Sequence, residues 1–260
     1  MDLGLAGRTA FVAASSQGLG YACALSLARE GVSVTLNGRD EGKLAVVAGA
    51  LRHEVPGASV AWVAADLTTK EGRAAIVATV PAVDILVNNN AGPPPGVLQD
   101  WDEDALVGAL RANMVPGVEL MRVYVPGMRA RKFGRVVNIT SAMVKSPAYD
   151  MGLSTSARAA LTAISKSISK DVASDNVTIN NLLPERFDTP RQEFMVQRRM
   201  VAQGVGRAEA RRQIESTIAA GRLGRPEELG DACAFLCSAQ AGYISGQNLQ
   251  LDGGSYQGLV

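Results

Sequence analysis

The sequence predicts an α/β protein built on one doubly wound parallel sheet of about seven strands, with helices on both faces. Three observations predict it. Seven short, continuously apolar runs are spread along 260 residues, segments of helical period separate them, and the residues that follow each run are polar or glycine-rich. Strands covered on both faces read as unbroken apolar runs, and the crossover between two parallel strands is right-handed.

Taken in order, the strand-like runs are 9–14, 33–37, 60–65, 85–88, 135–140, 177–182 and 247–251. The clearest helical periods lie between them, at 21–30, 41–54 and 102–131. No internal repeat or linker divides the chain, so one domain is expected over 1–260, with a helical flap at about 188–225 between the sixth and seventh strands. Formal net charge is +1 from 26 basic and 25 acidic residues, which leaves no field to attract nucleic acid. The first residues do not read as a signal peptide, and no run of 18 apolar residues exists to span a membrane. Three cysteines without metal-ligand spacing and a single histidine, His53, argue against a metal site and for a reducing, cytoplasmic setting.

In such a sheet ligands bind outside the carboxyl ends of the strands. Here those ends read "ASSQGLG" after the first strand, "NNNAGPPPG" after the fourth, Thr140-Ser141 after the fifth and "PERFDTP" after the sixth. One shared cleft is expected. "ASSQGLG" follows a strand and opens a helix, where backbone N–H groups face a pyrophosphate. After the second strand comes Asn37-Gly38-Arg39, and after the third Asp66. Asn37 and Gly38 carry no carboxylate for a ribose diol, whereas Arg39 offers a fork suited to phosphate, which favours NADP(H) over NAD(H). The alternative is that Arg39 is an ordinary solvated arginine.

These features in this order resemble the short-chain dehydrogenase/reductase family over essentially the whole chain, and most of all its 3-oxoacyl-carrier-protein reductase group. The matching stretches are "AASSQGLG", Asp66-Leu67, "ILVNNNAG", Asn113, "VVNITS" ending at Ser141, "NNLLPERFDT" and "GQNLQLDGG". The resemblance implies a Rossmann-like fold and a dinucleotide held by Ala14, Ser15, Ser16, Gln17, Gly18, Leu19, Gly20, Arg39, Asp66, Leu67, Asn89, Asn90, Ala91, Arg158, Pro184, Phe187 and Thr189. Departures from the family pattern are Ala13 and Ala14 for Thr and Gly, Asn90 and Ala91 for Ala and Gly, and Glu185 for the Gly after Pro184.

The resemblance also implies a proton relay of Asn, Ser, Tyr and Lys, with Tyr 12 to 14 residues beyond Ser and Lys four beyond Tyr. Thirteen residues beyond Ser141 stands Ser154, and four further stands Arg158. The Y-x-x-x-K motif has become S-x-x-x-R. It has not moved elsewhere: four residues beyond the five tyrosines stand Leu25, Met128, Leu153, Gln247 and Val260. A serine hydroxyl is far less acidic than a phenol and shorter by a ring, and an arginine keeps its charge without giving up a proton. Asn113, Ser141, Lys145, Ser154 and Arg158 are the candidate catalytic residues. Proton transfer is expected from Lys145 near the Arg158 charge, from Tyr149, or from a water held by Ser141 and Asn113. Lys145 as a solvated loop residue and Tyr149 as a lid or subunit contact remain the alternatives.

Asn113 should lie on a core-facing stripe with Leu106, Leu110, Met114 and Met121. The segment 188–225 holds eight arginines against four acidic residues, which suits an anionic substrate such as an acyl thioester carrier or a solvated helical face. Together these readings predict an NADP(H)-dependent oxidoreductase on a carbonyl or acyl thioester, with a divergent relay and a homotetrameric assembly. The alternative is a dinucleotide-binding protein without turnover.

Overall fold

The computed structural model describes residues 2–259. Seven strands form one parallel sheet: β1 (Thr9–Val12), β2 (Ser33–Gly38), β3 (Val60–Ala64), β4 (Ile85–Asn88), β5 (Gly134–Ile139), β6 (Val177–Pro184) and β7 (Asn248–Leu251), in the order β3-β2-β1-β4-β5-β6-β7. The order reverses between β1 and β4, which opens the crevice expected of a doubly wound sheet. Each strand lies within two residues of its expected limits.

Three helices cover one face: α1 (Gly18–Arg29), α2 (Glu41–Glu54) and α9 (Pro226–Cys237). Their Cys23, Leu27, Leu44, Leu51, Leu229 and Cys233 close a core over Val12, Leu36 and Val87. The three cysteines are buried free thiols on α1 and α9. The other face carries α3 (Lys70–Thr79), α5 (Val115–Ala130) and α6 (Gly152–Val172), whose Ile76, Leu120, Met128 and Leu161 pack on Phe11, Leu86 and Val136. The flap is two helices, α7 (Pro190–Gln203) and α8 (Arg207–Glu215), joined by Val196, Ala210, Ile214, Ile218 and Leu223. No helix of the described residues is long and apolar enough to cross a membrane.

The expected helix over 102–131 is instead two helices, α4 (Glu103–Asn113) and α5, broken at Met114. The cause is Pro116, which has no N–H for the Ala112 carbonyl four residues back. Asn90 takes that carbonyl, donating Nδ2 to Ala112 O at 2.7 Å. The break also revises the expected stripe: Leu106 is 42% exposed, while Ala109 and Asn113 face inward.

Asparagines occupy matching positions on four neighbouring strands, where Asn88 pairs with Asn138, Asn138 with Asn181 and Asn181 with Asn248. Each side chain donates to the next: Asn88 Nδ2 to Asn138 Oδ1 at 2.9 Å, Asn138 Nδ2 to Asn181 Oδ1 at 2.9 Å, and Asn181 Nδ2 to Asn248 Oδ1 at 2.8 Å. Asn138 also donates to Ser165 Oγ on α6 at 3.0 Å. A one-residue slip would break every rung. Each stranded buried partner costs about 1–3 kcal/mol, so Asn138→Leu should destabilise the protein by about 3 kcal/mol or more, read as a lower urea midpoint at unchanged m-value.

Candidate active site

The turn after β1 is where the dinucleotide fingerprint was expected. Gln17 precedes α1 and offers no side-chain cap, so the first backbone N–H groups of the helix are left for a ligand. A Cβ at Gly20 would lie 2.6 Å from the Ala14 carbonyl and 2.9 Å from Asn89 Nδ2, so only glycine lets the helix start this close to the strand ends. Ala14 itself has φ 45°, in the left-handed region where a methyl group is strained. Two asparagines hold that turn: Asn37 Oδ1 accepts from Ala14 N at 3.2 Å, and Asn89 Nδ2 donates to Ala14 O at 3.2 Å. Asn37 also donates to Val63 O and Ala65 O, tying the ends of β1, β2 and β3 together.

Around this turn the other expected cofactor residues gather. Ser15 is buried and its hydroxyl donates to Val12 O, while Ser16 lies against Gly38. Thr189, the N-cap of α7, sits over Gly18. Arg39 is exposed and, among the described residues, forms no ion pair. Asp66 is held below the usual carboxylate range, first by the Thr68 hydroxyl and then by the Thr68 backbone N–H. Leu67 is buried at the inner end of the cleft. Pro184 ends β6, and the buried Phe187 packs against Gly224. The Glu185 carboxylate pairs with Arg186 at 3.2 Å.

Deeper in, a cavity of about 20 Å³, room for one water, is lined by Asn88, Asn89, Asn90, Asn113, Gly117 and Arg158 among others. Three buried polar atoms of its lining residues lack a protein partner: Asn88 Oδ1, Asn113 Nδ2 and Arg158 Nε. Arg158 comes from α6 and is caged by carbonyl oxygens. Nη1 donates to Ile139 O at 3.2 Å and to Thr140 O, and Nη2 to Asn90 O at 3.3 Å. Burial, then the charge of Arg191, pulls this guanidinium down to about 10. Ser154 is buried one turn earlier, and a Cβ on Gly92 would lie 3.5 Å from Ser154 Oγ and 3.3 Å from Arg158 Nη2. Ser141 Oγ accepts the Met143 N–H at 3.2 Å, leaving its own proton to donate.

The remaining candidates lie elsewhere. Tyr149 is 84% exposed. Lys145 has Nζ 5.0 Å above the ring of Tyr256, so the C-terminal segment returns to its own chain. The cation that acts on Arg158 is Arg191, not Lys145.

A profile of the family described as enoyl-(acyl carrier protein) reductase matches residues 13–256. The NADPH-dependent reductase BacG of Bacillus subtilis is 32% identical over 256 residues, covering 97% of this chain and 99% of the relative. The chain belongs to the short-chain dehydrogenase/reductase family. Among solved structures, L-sorbose reductase of Gluconobacter frateurii, complexed with NADPH and L-sorbose, superposes with TM-score 0.93 at 29% identity, covering all of both chains. The 3-oxoacyl-(acyl-carrier-protein) reductase of Agrobacterium tumefaciens, with NADP bound, gives TM-score 0.86 at 32% identity over 97% of this chain and 96% of that one.

Within this short-chain dehydrogenase/reductase frame, sequence reading missed Asn88, Lys43 and Arg191 as site residues. Lys43 contacts Gln17 across the fingerprint turn, a position signalled only by its place in the first turn of the helix after β2. Asn88 lay within the stretch "ILVNNNAG" and Arg191 among the eight flap arginines, neither set apart from its neighbours by the sequence. The strained Ala14 carries a direct test. Glycine at that position removes a left-handed penalty of about 1–2 kcal/mol against a smaller cost in chain entropy. Ala14→Gly should therefore raise the melting temperature by about 2 °C, read by calorimetry.

Proposed function

We propose that this protein is an NADP(H)-dependent oxidoreductase of a carbonyl/alcohol pair whose proton relay runs through a buried water instead of a tyrosine. The observation that carries the relay is that three residues lining a cavity of one-water size, Asn88, Asn113 and Arg158, each hold a buried polar atom without a partner. The residues of the fingerprint turn fit a dinucleotide on structural grounds: an uncapped helix start, and a glycine where a Cβ would collide. BacG is an NADPH-dependent reductase, and both solved relatives hold NADP or NADPH. Arg39 and Lys43, both exposed on either side of Asp40, suit the 2′-phosphate that distinguishes NADP from NAD.

When bound, the nicotinamide supplies the hydride. The chain's own residues do the rest. Ser141 would donate to the substrate oxygen, and Arg158 would hold the nicotinamide ribose and fix a positive charge beside it. Ser154 is too short to reach the substrate oxygen and at most orients the water that delivers the proton. The water rests on Asn113 and Asn88. Lys145 remains the second candidate donor, reached by rotation away from Tyr256. General acid–base catalysis is worth about 10²–10⁴-fold, so turnover should be slow relative to a relay with tyrosine. The substrate class fits a ketone or 3-oxoacyl thioester, and the three buried free thiols suit a cytoplasmic setting.

Calorimetry and single-turnover oxidation of NADPH test these roles together. NADPH should bind more tightly than NADH, with Arg39→Ala narrowing the gap. Arg158→Ala should weaken NADPH by about 10-fold or more, the loss of one charge-assisted hydrogen bond. Ser154→Ala should change little, whereas the double change Ser154→Tyr with Arg158→Lys should raise turnover. Equal affinity for the two dinucleotides overturns the cofactor assignment. Loss of activity in Ser154→Ala alone overturns the relay. NADPH binding with no oxidation on any carbonyl favours a dinucleotide-binding protein without turnover.

We further infer a homotetramer built on α4, α5 and α6. Leu106 and Val123 on the first two are 42% and 37% exposed, which leaves apolar surface for symmetry mates. Light scattering should give a mass of four chains at micromolar concentration, and a monomer mass refutes it.

A further inference from the structure

Two guanidinium groups of the cleft have no carboxylate. Arg158 and Arg191 anchor to the same short segment after β4, at Asn90 O and Pro93 O respectively, with Gly92 between them. Among the described residues neither forms an ion pair, although the flap is dense in them. Its acidic groups are all engaged elsewhere: Asp188 and Glu215 with Arg211, Glu193 with Arg207, and Glu209 with Arg212.

Arg191 is exposed, with its guanidinium 5.4 Å over the ring of Phe194. It is the second residue of α7, where the helix dipole already carries positive charge. Partial desolvation and then Arg198 act against its charged form, and its own charge acts against that of Arg158. Beside it Arg158, a cation without a counter-ion whose buried Nε has no partner, points to an anion supplied by a ligand at this pair. Which anion follows from the neighbours. Thr189 faces Gly18 and so takes the pyrophosphate side of the turn. Arg191 reaches past it to Pro93, beside the segment whose Gly92 lies against Ser154.

We propose that Arg191, supported by the charge of Arg158, recognises a carboxylate on the substrate, placed close to the carbonyl that is reduced. This rests on the oxidoreductase reading and narrows its substrate class to anionic carbonyl compounds, with 2-oxo acids the simplest case.

The test uses the NADP⁺-saturated protein and oxamate, whose carboxylate adjoins a carbonyl that does not react. Oxamate should bind the unmutated protein, and Arg191→Gln should weaken it at least about 10-fold, with Arg191→Lys between the two. The affinity for NADP⁺ should stay within about two-fold in Arg191→Gln. In kinetics, 4-phenyl-2-oxobutanoate should be preferred over 4-phenyl-2-butanone, and Arg191→Gln should cut that ratio of kcat/KM at least about 10-fold. No oxamate binding, or equal binding in both proteins, overturns the proposal. So does a large loss of NADP⁺ affinity, which would place Arg191 on the cofactor pyrophosphate. Absence of turnover with either ketone counts against the oxidoreductase reading, while the oxamate titration still decides the anion site.

Discussion

The asparagine ladder across β4, β5, β6 and β7 is the constraint on which the cleft depends. Buried amides need partners, and Asn88, Asn138 and Asn181 each find one in the next strand, Asn138 with Ser165 Oγ besides. That requirement fixes the relative height of four strands and so the level at which their carboxyl ends stop. The Asn88, Asn138 and Asn181 amides donate in one direction, away from β4, so the Asn88 carbonyl oxygen is left over on a residue that lines the cavity. A device that sets sheet register thereby delivers an acceptor to the site.

A second asparagine does comparable work on the other half of the sheet. Asn37 bonds to the Ala14 N–H and to two carbonyls at the end of β3, all from one side chain. It holds a turn whose Ala14 would otherwise relax out of the left-handed region. The strain at Ala14 is affordable because several rigid partners over-determine the turn. The turn keeps its shape with alanine at that position for that reason.

Arginine at 158 changes what the centre of the site can do. A lysine ammonium is compact and can lose its proton when buried, whereas a guanidinium spreads its donors in a plane and retains its charge. Three carbonyl oxygens, from Ile139, Thr140 and Asn90, take up those donors. The group thus ties the end of β5 to the loop after β4 as firmly as it serves any ligand. With Arg191 nearby the cleft becomes a positive pocket, while the flap's other charges are largely internally paired.

By itself the sequence determined the fold class, the strand limits and the shared cleft, because continuous apolar runs, glycine turns and polar strand ends are local properties. Counting from Ser141 also led to the expectation of serine and arginine at the positions where the family resemblance implies a tyrosine and a lysine. The break at Met114 was within reach, because Pro116 is visible in the chain, although the amphipathic period read across it. Tertiary structure alone decided the rest. That Asn90 would cap the carbonyl freed by Pro116, that Arg191 rather than Lys145 would neighbour Arg158, and that Lys145 would turn to Tyr256 depend on segments about 20 to 110 residues apart in sequence. No local pattern encodes such meetings. They follow from the order of strands in the sheet and from the need of each buried polar group to find a partner.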